Sequence, residues 1–199
     1  SLSSAGIPIL ILIYITIAFT FRSFSQPILL FCLMPVSLIG VAWGHWIHGF
    51  PVNILSLLGV IALIGIMVND GLVLIGKFNN NLKQNFNFNE GLIDAGKSRF
   101  RAIFLTTATT VAGLTPLLLE KSRQAQWLKP MAISVSYGIA FATILTLILL
   151  PIFISLNNDL KVIFKWLISG NYPDKEFVER AIIEKKEEQK MDQMNNPEN

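Results

Sequence analysis

Apolar residues occur along this chain in long unbroken runs separated by short polar stretches. Five runs approach or exceed the ~20 residues of helix that cross a bilayer. They cover about residues 6–22, 27–47, 52–78, 102–119 and 128–156. Hydrophobicity within them is continuous rather than alternating, and they are much longer than the strands of a membrane barrel. Pro8 and Pro27 stand where a proline suits the first turn of a helix. The expected fold is therefore all-α, a polytopic membrane helix bundle of five transmembrane helices.

The polar stretches add two smaller elements to this picture. Asn89 is placed to cap GLIDAGKSRF, residues 91–100, as a short interfacial helix with Leu92, Ile93 and Phe100 against the membrane surface. Residues 157–199 read as a polar tail, partly helical. Pro173 and Asp174 open a predicted helix there, Glu176 and Arg180 form an i,i+4 pair, and the composition after about Met191 suggests disorder. Two domains are expected: a transmembrane domain over residues 1–156 and the tail over 157–199.

Charge decides the orientation. Residues 1–156 hold 13 of the 29 charged side chains, and the tail holds 16. Thirteen lysines and arginines, including Arg22, Lys77, Lys97, Arg99 and those of the tail, fall on one side of the predicted spans. Only Lys121, Arg123 and Lys129 fall on the other. The positive-inside bias then puts the interfacial helix and the tail in the cytoplasm. Five spans leave Ser1 outside. With no basic segment before the first run, this suggests that an upstream helix carries the chain across. The net charge of +3, without a basic stripe of interleaved aromatics, argues against a nucleic-acid partner.

One stretch breaks the apolar pattern from within. GIMVNDGLVLIG, residues 65–76, carries Asn69 and Asp70 in the middle of the third run. Asp70 is the only carboxylate inside any predicted span. A central Asp costs about 2.5–3.5 kcal/mol on insertion scales, and such residues mark ion paths, proton relays or buried partners. A purely structural Asp, tying helices together, is the competing explanation. Asn69 is covered by an interhelical hydrogen bond. In the fourth run, Thr106, Thr109, Thr110 and Gly113 share one helical face. Most of those hydroxyls are expected to bond back to their own helix, and one facing Asp70 would suffice for a relay.

Other features read as packing or anchorage. Ser134, Gly138, Ala142 and Thr146 form a small-residue stripe that predicts close helix contact, and Gly59, Gly65, Gly71 and Gly76 smooth the third run. Trp43, Trp46 and Trp127 suit an interfacial belt. His45 and His48 are expected to be exposed loop residues, because two histidines without a third ligand make a weak metal site. No metal site, cofactor motif, phosphate loop or nucleophile–base pair stands out, so neither a cofactor nor an enzyme is expected.

Three segments together resemble the C-terminal membrane half of an RND (resistance–nodulation–cell division) efflux permease. They are GIMVNDGLVLIGKFNNNLKQ, EGLIDAGKSRFRAIFLTTATTVAGLTPLLL and QAQWLKPMAISVSYGIAFATILTLILLP. The likeness covers roughly residues 6–156. It implies a proton-driven secondary transporter that exports drug-like or amphiphilic small molecules from a Gram-negative cell. It also implies a homotrimer in the inner membrane, joined to a periplasmic adaptor and an outer-membrane channel. By this resemblance Asn69 stands where drug exporters have a relay lysine, with Asp70 where they often have Asn. Thr106 matches a relay threonine, and Arg99 matches a basic residue near the cytoplasmic mouth of the proton path. A SecF-like accessory of protein secretion, or a lipid exporter of the same superfamily, is the alternative.

Overall fold

The computed structural model describes residues 2–21, 23–169 and 179–195. Among these residues all regular structure is helical: α1 (Leu2–Phe21), α2 (Ser25–His48), α3 (Ile54–Lys83), α4 (Phe88–Leu119), α5 (Arg123–Ser169) and α6 (Arg180–Asn195). Four of them, α2 to α5, are long and apolar enough to cross a membrane. The described part of α1 adds a shorter apolar stretch, Ile11–Phe21.

The helix ends follow from local chemistry. Gly49 takes a positive φ of 65° just past α2. The Phe50 amide then donates to the His45 carbonyl, and the Gly49 amide donates to that of Trp46. This is a Schellman ending, which a residue with a side chain would strain. Asn85 does the same after α3 at φ 66°, with Phe86 and Asn85 amides donating to Asn81 and Leu82. At the start of α3, the Ser56 amide donates to Asn53 Oδ1 and the Asn53 amide donates to Ser56 Oγ. That reciprocal pair satisfies amides a helix start otherwise leaves open.

Three boundaries differ from the sequence expectation. The interfacial helix over 91–100 is not a separate element; it is the first part of α4, which runs unbroken from Phe88 into the apolar run. No proline or glycine separates Arg99 from Ala102, so nothing stops the helix there. α5 continues past Leu156 to Ser169, because the polar residues that follow still keep a helical period, with Asn158 and Val162 buried. α6 reaches Asn195, past Met191. The expected opening of a tail helix at Pro173 and Asp174, and the pair from Glu176, lie outside the described residues.

The chain divides into two compact units. Unit 1 comprises Ser1–Ile28, Leu74–Ala95 and Ile152–Asn199. Within it Phe78 packs edge-to-face on Phe88 with ring centroids 5.3 Å apart, and Gln26 and Asn79 exchange two amide hydrogen bonds. Asn81 donates to the Gly91 carbonyl and to Asp94, which also pairs with Lys77 at 3.4 Å. Unit 2 comprises Leu29–Val73 and Gly96–Pro151. Here the small-residue stripe of α5 is buried, as its spacing suggests. A Cβ on Gly138 would run into Leu63 Cδ2, and one on Gly40 would lie 2.7 Å from the Tyr137 carbonyl. Backbones approach that closely only where side chains are absent.

Candidate functional site

Asp70 sits near the middle of α3, a 30-residue helix. The i, i+4, i+7, i+11 positions Leu63, Met67, Asp70 and Leu74 form one stripe, and all four are buried. Asp70 thus occupies a core position between apolar side chains, with only 6% of its surface exposed. The next residue, Gly71, is in contact with Leu30 of α2, which closes over that part of the helix. Among the described residues no hydrogen bond or ion pair reaches the Asp70 carboxylate. A buried acid without a donor is costly, and local hydrophobic packing does not offset its lost hydration.

None of the other sequence candidates is hydrogen-bonded to it among the described residues. Asn69, turned about 100° around the helix from Asp70, is exposed. Thr106 is also exposed, and its hydroxyl donates to the Ala102 carbonyl at 2.6 Å. Thr109 and Thr110 likewise bond back to their own helix. No hydrogen bond joins Asp70 to Thr106. The buried threonine of α4 is Thr107, whose hydroxyl pairs with that of Thr143 on α5. Arg99 is half-buried, and its Nε has no hydrogen-bond partner among the described residues.

Sequence reasoning missed a polar cluster at the far end of α2. His45 is buried within the helix rather than exposed in a loop, because α2 continues to His48 before its glycine ending. Its Nδ1 lies 3.0 Å from the Phe50 carbonyl, which can only accept, so Nδ1 carries the proton. Its Nε2 lies 3.0 Å from Ser134 Oγ, within hydrogen-bond distance. His48 Nε2 meets the Tyr137 hydroxyl at 3.0 Å, with the rings edge-to-face. The histidines therefore tie α2 to α5 over the smooth surface at Gly40 and Gly44. Two ring-nitrogen partners 89 residues away in sequence leave no local signal. Among the described residues no group of three His, Cys, Asp or Glu side chains could hold a metal ion.

Comparison with known proteins gives this arrangement a family. The AcrB/AcrD/AcrF family model matches residues 2–157. The swarming motility protein SwrC of Bacillus subtilis (strain 168) is 29% identical over 142 residues, covering 71% of this chain and 14% of that protein. The cobalt-zinc-cadmium resistance protein CzcA of Cupriavidus metallidurans is 27% identical over 143 residues, covering 72% of this chain and 14% of that protein. A heavy metal efflux pump solved by X-ray crystallography matches in crystal form II with a TM-score of 0.69 and 27% identity, over 77% of this chain and 16% of the pump. Its crystal form I matches with a TM-score of 0.59, 26% identity and 72% of this chain. The chain thus spans about one-seventh of the length of the curated relatives it matches. A multi-pass helical membrane protein with this likeness over residues 2–157 belongs to the AcrB/AcrD/AcrF family, the RND efflux permeases.

Proposed function

We propose that this chain is membrane machinery of a proton-driven exporter and that Asp70 is its proton-carrying side chain. One observation carries the reading: a carboxylate sits in a buried apolar stripe of α3 with no described partner. A packing role supplies no reason for an acid there, whereas a group that takes up and releases protons needs an ionisable side chain in the interior. Moving one proton charge across the membrane yields about 2.3 kcal/mol per 100 mV. Asn69, Thr106 and Arg99 belong to the same proposed path as polar positions on α3 and α4. The exposure of Asn69 and Thr106 suits a route completed by further helices.

In this reading α1 is a fifth span, the first residues lie outside, and α6 lies in the cytoplasm of a bacterial inner membrane. The lysine and arginine distribution supports that orientation. Assembly as a homotrimer with a periplasmic adaptor and an outer-membrane channel follows the family resemblance, as does the absence of enzymatic chemistry. The family match favours efflux over the SecF-like alternative.

Two substrate classes are in play. The family resemblance favours drug-like amphiphiles. The relative from Cupriavidus metallidurans and the crystallised pump favour heavy-metal cations, and we rank that class first. The deciding experiment expresses the full-length permease with its partners in cells lacking their own exporters. Cellular zinc, cobalt and cadmium are then measured beside a panel of amphiphilic dyes. Lowered metal content with unchanged dye retention supports metal export. The reverse result restores the drug-like reading, and no change in either contradicts export by this protein.

A further inference from the structure

Unit 1 contains a polar cleft of about 260 Å³ with no role in the proton path. Thr20 of α1, Gly76, Asn79, Asn80 and Lys83 of α3, and Glu184 of α6 line it. α6 forms one wall because it is firmly held. Lys185 Nζ donates to the Lys83 carbonyl at 2.6 Å and to Asn85 Oδ1 at 2.8 Å, placing a cation on the carbonyl end of α3. Glu179, 2% exposed, pairs with Lys161 of α5 at 3.2 Å. Inside the cleft Lys83 and Glu184 meet at 2.9 Å, and Glu188 stands 3.9 Å from the same ammonium.

The level of the cleft and its charges define what fits. The apolar run of α1 ends at Phe21 and that of α3 at Phe78, and asparagines 79–81 follow at once. In a chain that spans a membrane, that change from apolar to polar marks where hydrocarbon gives way to headgroups. Lys83 and Glu184 already hold each other, so a simple anion must displace the Glu184 carboxylate and a simple cation the Lys83 ammonium, and either loses that pair. Only a ligand bearing both signs finds a complement for each, with Asn80 and Thr20 as neutral polar partners. We propose that this cleft binds a zwitterionic amine–phosphate group, the headgroup chemistry of an ethanolamine phospholipid, with the phosphate towards Lys83 and the ammonium towards Glu184.

Native mass spectrometry of the detergent-purified full chain tests this, with phosphatidylethanolamine, phosphatidylglycerol and soluble glycerophosphoethanolamine as probes. Two variants accompany the wild type. A Cβ at Gly76 meets only Phe21 Cε1 at 3.8 Å, so a side chain can start there, and Gly76→Leu narrows the cleft. Glu184→Gln keeps the shape and removes the negative arm. The expected result is retention of phosphatidylethanolamine, roughly tenfold weaker in Gly76→Leu, and loss of its preference over phosphatidylglycerol in Glu184→Gln. Displacement by the soluble diester assigns binding to the headgroup alone; retention despite it assigns the site to bilayer lipid. Equal retention of both lipids by the wild type overturns the proposal. So does equal retention by wild type and Gly76→Leu with α6 equally protected from protease.

Discussion

His45 and Asp70 are both buried polar side chains in unit 2, and they are buried in opposite ways. His45 is 4% exposed and has a partner on each ring nitrogen. Asp70 is 6% exposed and has none among the described residues. The first arrangement explains itself: the ring joins the turn at Phe50 to Ser134 and fixes one end of α2 against α5. The second gains no such contact, and the proposed proton-carrying role rests on that lack. Burial alone does not distinguish the two; the inventory of partners does.

The contrast predicts divided effects on substitution, and the largest concerns transport. Asp70→Asn in the full-length permease removes most export while leaving thermal stability within about 1 kcal/mol, because a carboxyl with no described partner is replaced by a group of nearly the same shape. Unchanged export with lowered stability in a detergent melting assay reverses the assignment. His45→Ala does the opposite. It strands the Phe50 carbonyl and Ser134 hydroxyl, at about 1–3 kcal/mol for each buried group left unpaired. Transport per folded molecule stays at the wild-type level. A transport defect exceeding the loss of folded protein contradicts that structural role.

Glycines sharpen the same distinction between packed and open faces. Gly40→Ala pushes a Cβ to 2.5 Å from Phe141 Cβ and 2.7 Å from the Tyr137 carbonyl. Overpacking of this kind costs about 1–3 kcal/mol. Gly113→Ala meets nothing within 4 Å and gains up to about 1 kcal/mol of helix propensity. Parallel melting curves measure the pair, and equal shifts contradict the packing described for unit 2.

The smaller effects lie outside the spans. Lys185→Gln loosens α6 by about 1 kcal/mol, since its partners are partly solvated. Protease cleavage near α6 should rise in this variant, and high salt should raise it in the wild type. Glu120 gives the smallest change. Backbone amides of Ser122 and Lys121 donate to its carboxylate and hold its pKa below the ordinary 4.5. A depressed folded-state pKa means the contribution is full above the ordinary value and is lost as pH falls through the folded one. Amide exchange at Ser122 should therefore quicken at acid pH, relative to its intrinsic rate, and Glu120→Gln should abolish that pH step.

Much of this molecule is legible in the sequence, and the limits are physical. Long apolar runs locate α2 to α5 because helices in lipid must satisfy their own backbone. The break in hydrophobicity identifies Asp70 for the same reason, and its stripe with Leu63, Met67 and Leu74 follows from helical period. The ends are less legible. Hydropathy falls at residue 157 and at residue 101, yet helix propensity does not, so α5 and α4 run through both points. Long-range partners leave no trace at all. Lys83 and Glu184 are 101 positions apart, and His45 and Ser134 are 89 apart. Each side chain alone reads as a solvated polar residue. Thr107 rather than Thr106 faces α5 because the rotation of a helix about its axis is set by packing against neighbours, which periodicity does not reveal.

Proton movement itself tests Asp70 most directly. The full-length permease and its Asp70→Asn variant, each reconstituted into vesicles with an acid-outside pH gradient, are compared for substrate-dependent proton entry with a trapped pH dye. Proton entry on substrate addition is expected in the wild type and none in the variant, with equal amounts of folded protein in both. Equal proton entry in the two would contradict that expectation.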